Sequence, residues 1–130
     1  MKESSLKFTN PSITHLVFDI NSEFKEKDAV SITNTFNVEV SKGKDESAAV
    51  VQLNIIVGDK DFSKDVPFYF NITIGAMFSW DDVYDDETLQ TLLSKNAPAL
   101  LLGYARPIIA NITESSPIPA YHIPFYNFTE

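Results

Sequence analysis

The sequence contains no cysteine, only four glycines and a single tryptophan among its 130 residues. The lack of cysteine excludes a disulfide scaffold, thiol catalysis and cysteine-ligated zinc sites. The glycines are isolated from one another, so no glycine-rich loop that could bind phosphate is present. No apolar run approaches the ~20 residues of a membrane-spanning helix, and residues 1–7 lack the apolar run of a signal peptide. These absences predict a cytoplasmic protein with no membrane partner.

Basic residues are also scarce. Ten Lys and Arg residues stand against eighteen Asp and Glu residues, which gives a formal net charge of −8. A net negative charge with scattered basic residues opposes binding to nucleic acid and to anionic membranes. The length and the hydrophobic content of 44% are typical of one globular domain, and we expect residues 1–130 to form it.

No constellation of catalytic residues is visible. His15 and His122 lie far apart in the sequence and have no serine or carboxylate at a recognisable motif spacing. The acidic run 81–87 could hold a hard cation, but it lacks the glycine and the terminal glutamate of a calcium loop. A solvated acidic loop is the favoured interpretation of this run. We therefore predict a protein that is not an enzyme and has no metal site and no cofactor.

Four segments alternate apolar and polar side chains with the period of two that antiparallel strands show. The apolar sides of the first three segments are Leu16, Phe18 and Ile20; Ile32, Phe36, Val38 and Val40; and Val51, Leu53, Ile55 and Val57. The fourth apolar side is the longest, about 40 Å at ~3.3 Å per residue, and consists of Val66, Phe68, Phe70, Ile72, Ile74, Ala76 and Phe78. A surface this long and apolar must be covered. We expect association through a sheet face to cover part of it.

Helical spacing begins after Trp80. The acidic residues 85–87 suit a helix N-terminus, and Leu89, Leu92 and Leu93 follow at helical spacing. Asn96 is predicted to cap a second helix, with Pro98 in its first turn. These patterns place helices over about 86–115.

Two prolines shape the end of the chain. Pro107 interrupts the hydrogen bonding of the second helix, but Gly103 lies at the crowded carbonyl, so we expect one kinked helix and not two. From Pro117 onward the chain is predicted to be extended over 117–130. The complete pattern predicts an α+β fold: a four-stranded antiparallel sheet within about 8–79, followed by helices packed on one side.

Arg106 is the one charged residue within the apolar pattern of the second helix. Two interpretations remain open. Its side chain reaches solvent or pairs with a surface acid, or it forms a structural ion pair that fixes the helix against the sheet or a neighbouring subunit.

The segment 96–128 combines Asn-Ala-Pro, the core Tyr104-Ala105-Arg106 and a proline-rich exit to Asn127-Phe128. Upstream, Phe68–Ser79 ends with small residues just before Phe-Ser. This order resembles the SecB family of protein-export chaperones. The resemblance implies cytoplasmic tetramers, built as dimers of dimers, that hold preproteins unfolded and pass them to the export ATPase SecA.

The resemblance also implies site residues. The positions that govern assembly in that family fall on Phe68, Phe70 and Ile72, which we predict to form the oligomer interface. The family's groove lies between sheet and helix, beside the segment that precedes the second strand. The residues that we predict to bind clients are Ile32, Phe36, Met77, Phe78, Trp80 and Tyr104.

Two departures from the family count against direct docking to SecA. The acidic patch that receives SecA maps to the uncharged residues Val17, Asn21, Tyr69 and Asn71. Family members also continue beyond Asn-Phe into a terminal helix and a metal-binding tail, whereas this sequence stops at Glu130. We therefore expect neither element here, and a partner that supplies the helix is left open.

The resulting functional prediction is an ATP-independent, homo-oligomeric chaperone, a dimer or a tetramer, that binds unfolded or partly folded polypeptides through apolar grooves, with a link to protein export. The alternative is an adaptor or scaffold with the same fold, dedicated to one partner in the manner of an antitoxin-binding protein and without general holdase activity.

Overall fold

The computed structural model describes residues 6–25, 30–44, 46–62 and 65–128, and within them one antiparallel sheet carries the fold. Its strands are β1 (Lys7–Phe8), β2 (Ser12–Ile20), β3 (Asn34–Lys42), β4 (Ala48–Gly58) and β5 (Phe68–Ser79). Strand β5 pairs with β4 on one side, and β1 and β2 pair in turn with its other side. Strand β3 pairs with β4 and forms the opposite edge.

The alternation predicted for the two central strands is confirmed. Every apolar residue predicted to face inward from these strands is buried, and all of them except Val66, which precedes β5, form one core with the helix that follows. Register pairs such as Val57 with Phe70 and Ile55 with Ile72 join the two apolar faces into one surface. We call this side of the sheet the helix-covered face and the opposite side the open face.

The structure adds a short strand to the predicted four. Lys7 and Phe8 pair with Ser79 and Phe78, on the same side of β5 as β2. Two residues are too few to show an alternating pattern, so the sequence could not indicate this strand. At the other edge, Ile32 lies before the start of β3 and not within it.

The helical part is continuous from Asp86 to Glu114 and consists of α1 (Asp86–Thr91), a π-helical turn (Leu92–Asn96) and α2 (Ala97–Glu114). Asp85 caps α1 by accepting a hydrogen bond of 2.7 Å from the amide of Thr88. The pKa of the Asp85 carboxyl is lowered mainly by the hydrogen bond from the Thr88 backbone, and to a smaller extent by the one from the Thr88 side chain.

The prediction that Asn96 caps a second helix is wrong. Its backbone is helical (φ −73°, ψ −44°), and its side chain makes no capping hydrogen bond. The amides that a cap would satisfy are already inside a helix, because the π-helical turn carries the chain directly into α2.

Helix α2 continues through Pro107, as the sequence predicts, and Pro107 and Gly103 are both on its exposed side. The buried side of α2 packs on β4 and β5 and consists of Ala97, Pro98, Leu101, Leu102, Ala105, Ile109, Ala110 and Thr113. The α+β class with helical cover on one side is therefore confirmed. None of the helices in the described ranges combines the length and hydropathy needed to cross a bilayer.

Replacing Gly103 by alanine is expected to stabilise the protein by about 0.5–1 kcal/mol. A Cβ atom at position 103 would meet nothing within 4 Å, and alanine has less conformational freedom to lose on folding. Urea unfolding of the variant measures the change in free energy of unfolding. Gly58→Ala is the matched comparison and should lose more than about 1 kcal/mol, because Gly58 has φ +80° and a Cβ atom there would clash with the Phe68 carbonyl oxygen. If Gly103→Ala instead destabilised the protein, the helix would need a glycine at position 103, whose carbonyl is crowded by Pro107.

Candidate functional site

The chain that follows α2 turns back against the helix and forms no helix or strand of its own over residues 115–128. Thr113, which is fully buried, holds the turn. Its hydroxyl donates to the Ile109 carbonyl at 2.8 Å and accepts from the Tyr121 amide at 2.7 Å. The Tyr121 hydroxyl in turn donates to Asn34 Oδ1 at 2.8 Å. These bonds fix the tail between α2 and the first residue of β3.

The tail forms one wall of an apolar cleft of about 570 Å³. The other walls come from the segment between β2 and β3 and from the start of β5. The described residues that line the cleft are Phe24, Val30, Ile32, Pro67, Phe68, Pro117, Ile118, Pro119, Ala120 and Tyr121. None of these ten residues is charged, so the cleft suits apolar side chains of a ligand.

Aromatic rings and one asparagine hold the walls of the cleft in place. The rings of Phe68 and Tyr121 meet edge to face, with centroids 5.4 Å apart. On the opposite wall, Asn21 binds the residues that precede β5: its backbone amide donates to the Pro67 carbonyl, and its side chain donates to the Val66 carbonyl, each at 2.9 Å. Phe24 follows in a turn closed by its amide and the Asn21 carbonyl. Backbone hydrogen bonds therefore position this wall.

Arg106 holds the tail beyond the cleft. Its Nε donates to the Ile123 carbonyl at 2.8 Å, and its guanidinium carbon lies 4.4 Å from the centroid of the Phe125 ring. Ile123 itself is fully buried. Among the described residues no carboxylate pairs with Arg106, so no ion pair fixes the helix against the sheet there. An ion pair with a neighbouring subunit stays a prediction. A carbonyl and an aromatic ring take the place of the acid.

The last described residues of the tail pack on β3. The ring of Tyr126 stacks on Phe36 with centroids 4.3 Å apart, and Phe128 meets both rings edge to face at 4.8 and 6.1 Å. This aromatic cluster lies on the helix-covered face, because Phe36 is the register partner of Ile55. The tail therefore covers part of the sheet that α2 does not reach.

Of the six residues predicted to bind clients, Ile32 lines the cleft and Phe36 lies beneath the ring of Tyr126. Met77 is 49% exposed but points to the open face, since the residues of opposite parity in β5 face the helix. That face is not the one on which the cleft lies.

The other three lie at the far end of β5. Phe78 and Trp80 are 1% and 7% exposed, so their side chains belong to the core. Tyr104 is 45% exposed and contacts Phe8 with ring centroids 6.1 Å apart. This end is roughly 33 Å from the Phe68 end at ~3.3 Å per residue, so the structure does not unite the six residues in one site.

The predicted interface residues Phe68, Phe70 and Ile72 are 2%, 0% and 0% exposed within a single chain. They face α2 and are register partners of Ile20, Phe18 and Leu16 in the edge strand β2. Their side chains therefore lie in the core of the chain, beside the edge strand β2, and not on an outer surface.

Sequence reasoning missed most of the cleft. Phe24, Val30 and Pro67 lie in irregular segments where no periodic pattern marks an inward side. The prolines of segment 117–121 indicated that its backbone is extended, but they did not indicate where it packs. The available signal was the resemblance, which placed a groove beside the segment before the second long strand.

No metal site or catalytic cluster stands out in the described ranges. Within them, no group of three or more His, Asp or Glu residues is arranged to hold a metal ion. His15 and His122 are both exposed and lie on different parts of the chain, β2 and the tail. Among the described residues the apolar cleft is the candidate site.

Comparison with known proteins gives one family. The family model described as preprotein translocase subunit SecB matches residues 10–130. An uncharacterized protein of Methanocaldococcus jannaschii is 26% identical over 125 residues, which cover 95% of this chain and 79% of that protein.

Two solved structures share the fold. One is the SecB-like chaperone Rv1957 of Mycobacterium tuberculosis in complex with a ChAD peptide from the HigA1 antitoxin, with a TM-score of 0.73 and 14% identity over 95% of this chain and 91% of that chain. The other is a protein of unknown function from Streptococcus agalactiae, with a TM-score of 0.55 and 14% identity over 92% of this chain and 97% of that chain.

Replacing Thr113 by valine is expected to lower the free energy of unfolding by about 1–3 kcal/mol. Valine keeps the volume but removes the acceptor of the Tyr121 amide, which leaves that amide unpaired against the helix. Hydrogen exchange at Tyr121 should accelerate in the same variant. Thr113→Ser, which retains the hydroxyl, should keep the slow exchange. Equal exchange in the valine and serine variants would show that the tail is held without this bond.

Proposed function

Because this chain belongs to the SecB family, we propose that it is an ATP-independent chaperone, without enzymatic activity, that binds non-native polypeptides through its apolar cleft. The observation that carries the proposal is the cleft of about 570 Å³ with ten described lining residues and no charge among them. The protein acts passively in the cytoplasm: the cleft sequesters an extended client segment until mass action or a partner releases it.

The chemistry of the cleft supports binding without strict sequence requirements. Removing apolar area from water contributes about 25 cal/mol per Å², whichever apolar side chain supplies the area. Prolines 67, 117 and 119 lack amide donors, and most of the other lining side chains are hydrocarbon. A client therefore gains affinity from bulk apolar contact more than from specific polar pairing.

The second candidate is an adaptor with one dedicated polypeptide partner. It is favoured by one observation, namely that the structural relative from M. tuberculosis is bound to a peptide from an antitoxin. A cleft that accepts one such peptide with high affinity would need few other clients. The two candidates differ in breadth of binding and not in the site they use.

The proposed link to protein export does not include docking of SecA to the open face. Tyr69 and Asn71 lie on that face, and both are uncharged. Asn71 donates to the Tyr69 hydroxyl at 3.1 Å and accepts from Asn54 at 2.7 Å, so much of their hydrogen-bonding capacity is used within the sheet. At these two positions a partner that recognises an acidic patch would find neutral, internally paired groups. The exposed acid beside them is Asp19, the register partner of Tyr69.

We also propose a homo-oligomer, a dimer or a tetramer, assembled through the edge formed by β1 and β2. Within the described residues β2 pairs only with β5, so its outer backbone groups are available to another strand. The apolar residues exposed along this edge are Phe8, Ile13, Leu16 and Tyr104, at 40%, 40%, 38% and 45%. Phe68, Phe70 and Ile72 would influence assembly by supporting β2 from the core.

Leu16→Lys is expected to reduce the molecular mass in solution toward that of one chain. A lysine at the register partner of Ile72 would place a charge within the proposed apolar interface. Light scattering after size exclusion measures the mass. Val50→Lys is the matched control on the open face, where Val50 is 36% exposed, and should leave the mass unchanged. The opposite result would place the interface on the open face.

The chaperone proposal predicts that the protein suppresses aggregation of several unrelated denatured proteins at stoichiometric ratios, with citrate synthase, luciferase and reduced insulin as probes. Val30→Asp should weaken this suppression, because a charge on the cleft wall replaces an apolar contact. The expected loss is about 1–2 kcal/mol of binding free energy, or roughly tenfold in Kd. Light scattering of the aggregating probe gives the ratio required for half suppression.

Val83→Asp is the control for charge alone, since Val83 is fully exposed and lies outside the cleft. It should suppress aggregation as the unchanged protein does. Failure with all three probes, combined with tight binding of a single partner, would replace the general chaperone with the dedicated adaptor. Equal loss in both variants would show that the cleft is not the site.

A further inference from the structure

We propose that residues 123–128, which we call the strap, occupy a client-binding strip on β3, and that an extended aromatic segment of a client displaces them. The inference deepens the proposed function and rests on it. The strap would act as an intramolecular stand-in for the client, so that its own chemistry identifies the class of polypeptide that the strip accepts.

The strap is buried at its beginning, and two of its aromatic side chains are exposed farther along. Ile123 is fully buried, and its carbonyl accepts the hydrogen bond from Arg106. By contrast, Phe125 is 88% exposed and Tyr126 is 44% exposed. Two aromatic side chains with this much exposure leave much of their apolar area in water, which a protein tolerates when the surface serves binding.

The strip beneath the strap extends farther than the strap covers it. Phe36, Val38 and Val40 share the helix-covered face, since their register partners in β4 are buried. Tyr126 and Phe128 contact Phe36, whereas Val38 and Val40 remain 37% and 38% exposed. With the strap lifted, β3 would present three apolar side chains in a row beside an edge that pairs with no other strand among the described residues.

The strap indicates the ligand by its composition. It carries no charged residue, and it places a proline before two adjacent aromatic residues and a third aromatic residue two positions later. A displacing client segment must offer comparable ring contacts in an extended backbone. The proposed ligand class is therefore an uncharged, extended polypeptide segment with two or three aromatic residues near a proline.

Arg106 positions the strap and does not itself select the ligand. Its bond to the Ile123 carbonyl keeps residues 124–128 within reach of Phe36, so the strap rebinds as an intramolecular competitor. Weak contacts of the strap are then sufficient to raise the affinity that a client needs in order to displace it. Segments with few aromatic residues would fail to displace the strap, and richer segments would succeed.

The test measures the affinity of two probes for the full chain by fluorescence anisotropy: a labelled synthetic peptide with the sequence of residues 120–128, and reduced carboxymethylated α-lactalbumin. Tyr126→Ser, which releases the strap without altering the strip, should bind both probes with a roughly fivefold lower Kd. That change corresponds to a strap closed in about four-fifths of the molecules. His122→Ser, an exposed tail position before the strap, should bind as the unchanged protein does.

Phe36→Ser removes the strip, so it should weaken peptide binding and abolish the gain when it is combined with Tyr126→Ser. A second measurement does not depend on the folding of that variant. The chain has five tyrosines, and 3-fluorotyrosine labelling with Tyr126→Phe for assignment follows Tyr126 directly. Addition of the peptide to the unchanged sequence should move the Tyr126 fluorine resonance toward its solvent-exposed position.

The outcomes separate the two proposals. Equal Kd values for the unchanged chain and Tyr126→Ser, with both probes bound, would overturn the strap and leave the chaperone proposal intact. A stationary Tyr126 resonance during peptide binding would do the same. If neither probe binds any variant, including the strap-released one, the proposed function itself fails and the strap fails with it.

Discussion

The apolar face shared by β4 and β5 needs more cover than one helix provides, and the other features of the molecule depend on this shortage. Helix α2 has 18 residues and is about 27 Å long at 1.5 Å per residue, so it covers the central strands and leaves both sheet edges exposed on that side. The tail after α2 covers the β3 edge through Tyr121, Ile123 and Tyr126. The β2 edge keeps Ile13 and Leu16 exposed, whereas Phe18 and Ile20 pack partly against the core. The cleft lies where the cover by the tail is incomplete.

Much of the fold could be predicted because β4 and β5 have strict alternation. A strand covered on one side must place apolar residues at every second position, and Phe68 to Phe78 do so without exception. The same reasoning fails at Asn96, where a good capping residue lies inside continuous helical backbone. Capping preference is a local effect of about 1 kcal/mol, and the packing of Leu93 and Ala97 in the core outweighs it.

The candidate site was less predictable, because an apolar pattern does not distinguish a core side chain from a binding side chain. In the sequence, Phe78, Trp80 and Ile32 are all simply large apolar residues. In the structure, Phe78 and Trp80 are buried in the core, whereas Ile32 lines the cleft. Their different roles follow from the position of the tail, which leaves α2 at the end of the sheet near Ile32. That depends on the hydrogen bond between Thr113 and Tyr121, a contact between residues that no periodicity relates.

The two faces of the sheet have different physical roles. The open face satisfies its polar groups internally: Asn54 donates to Asn71 and to Thr73 at 2.7 and 3.0 Å, and accepts from Asn37 at 3.4 Å. These amides offer a partner few unpaired groups, and the acids Asp19 and Glu39 are exposed on the same face. The helix-covered side instead leaves aromatic and aliphatic area at its margins. Since apolar contact requires no fixed partner geometry, the proposed binding of polypeptides is assigned to that side, and the aromatic tail is the proposed competitor for it.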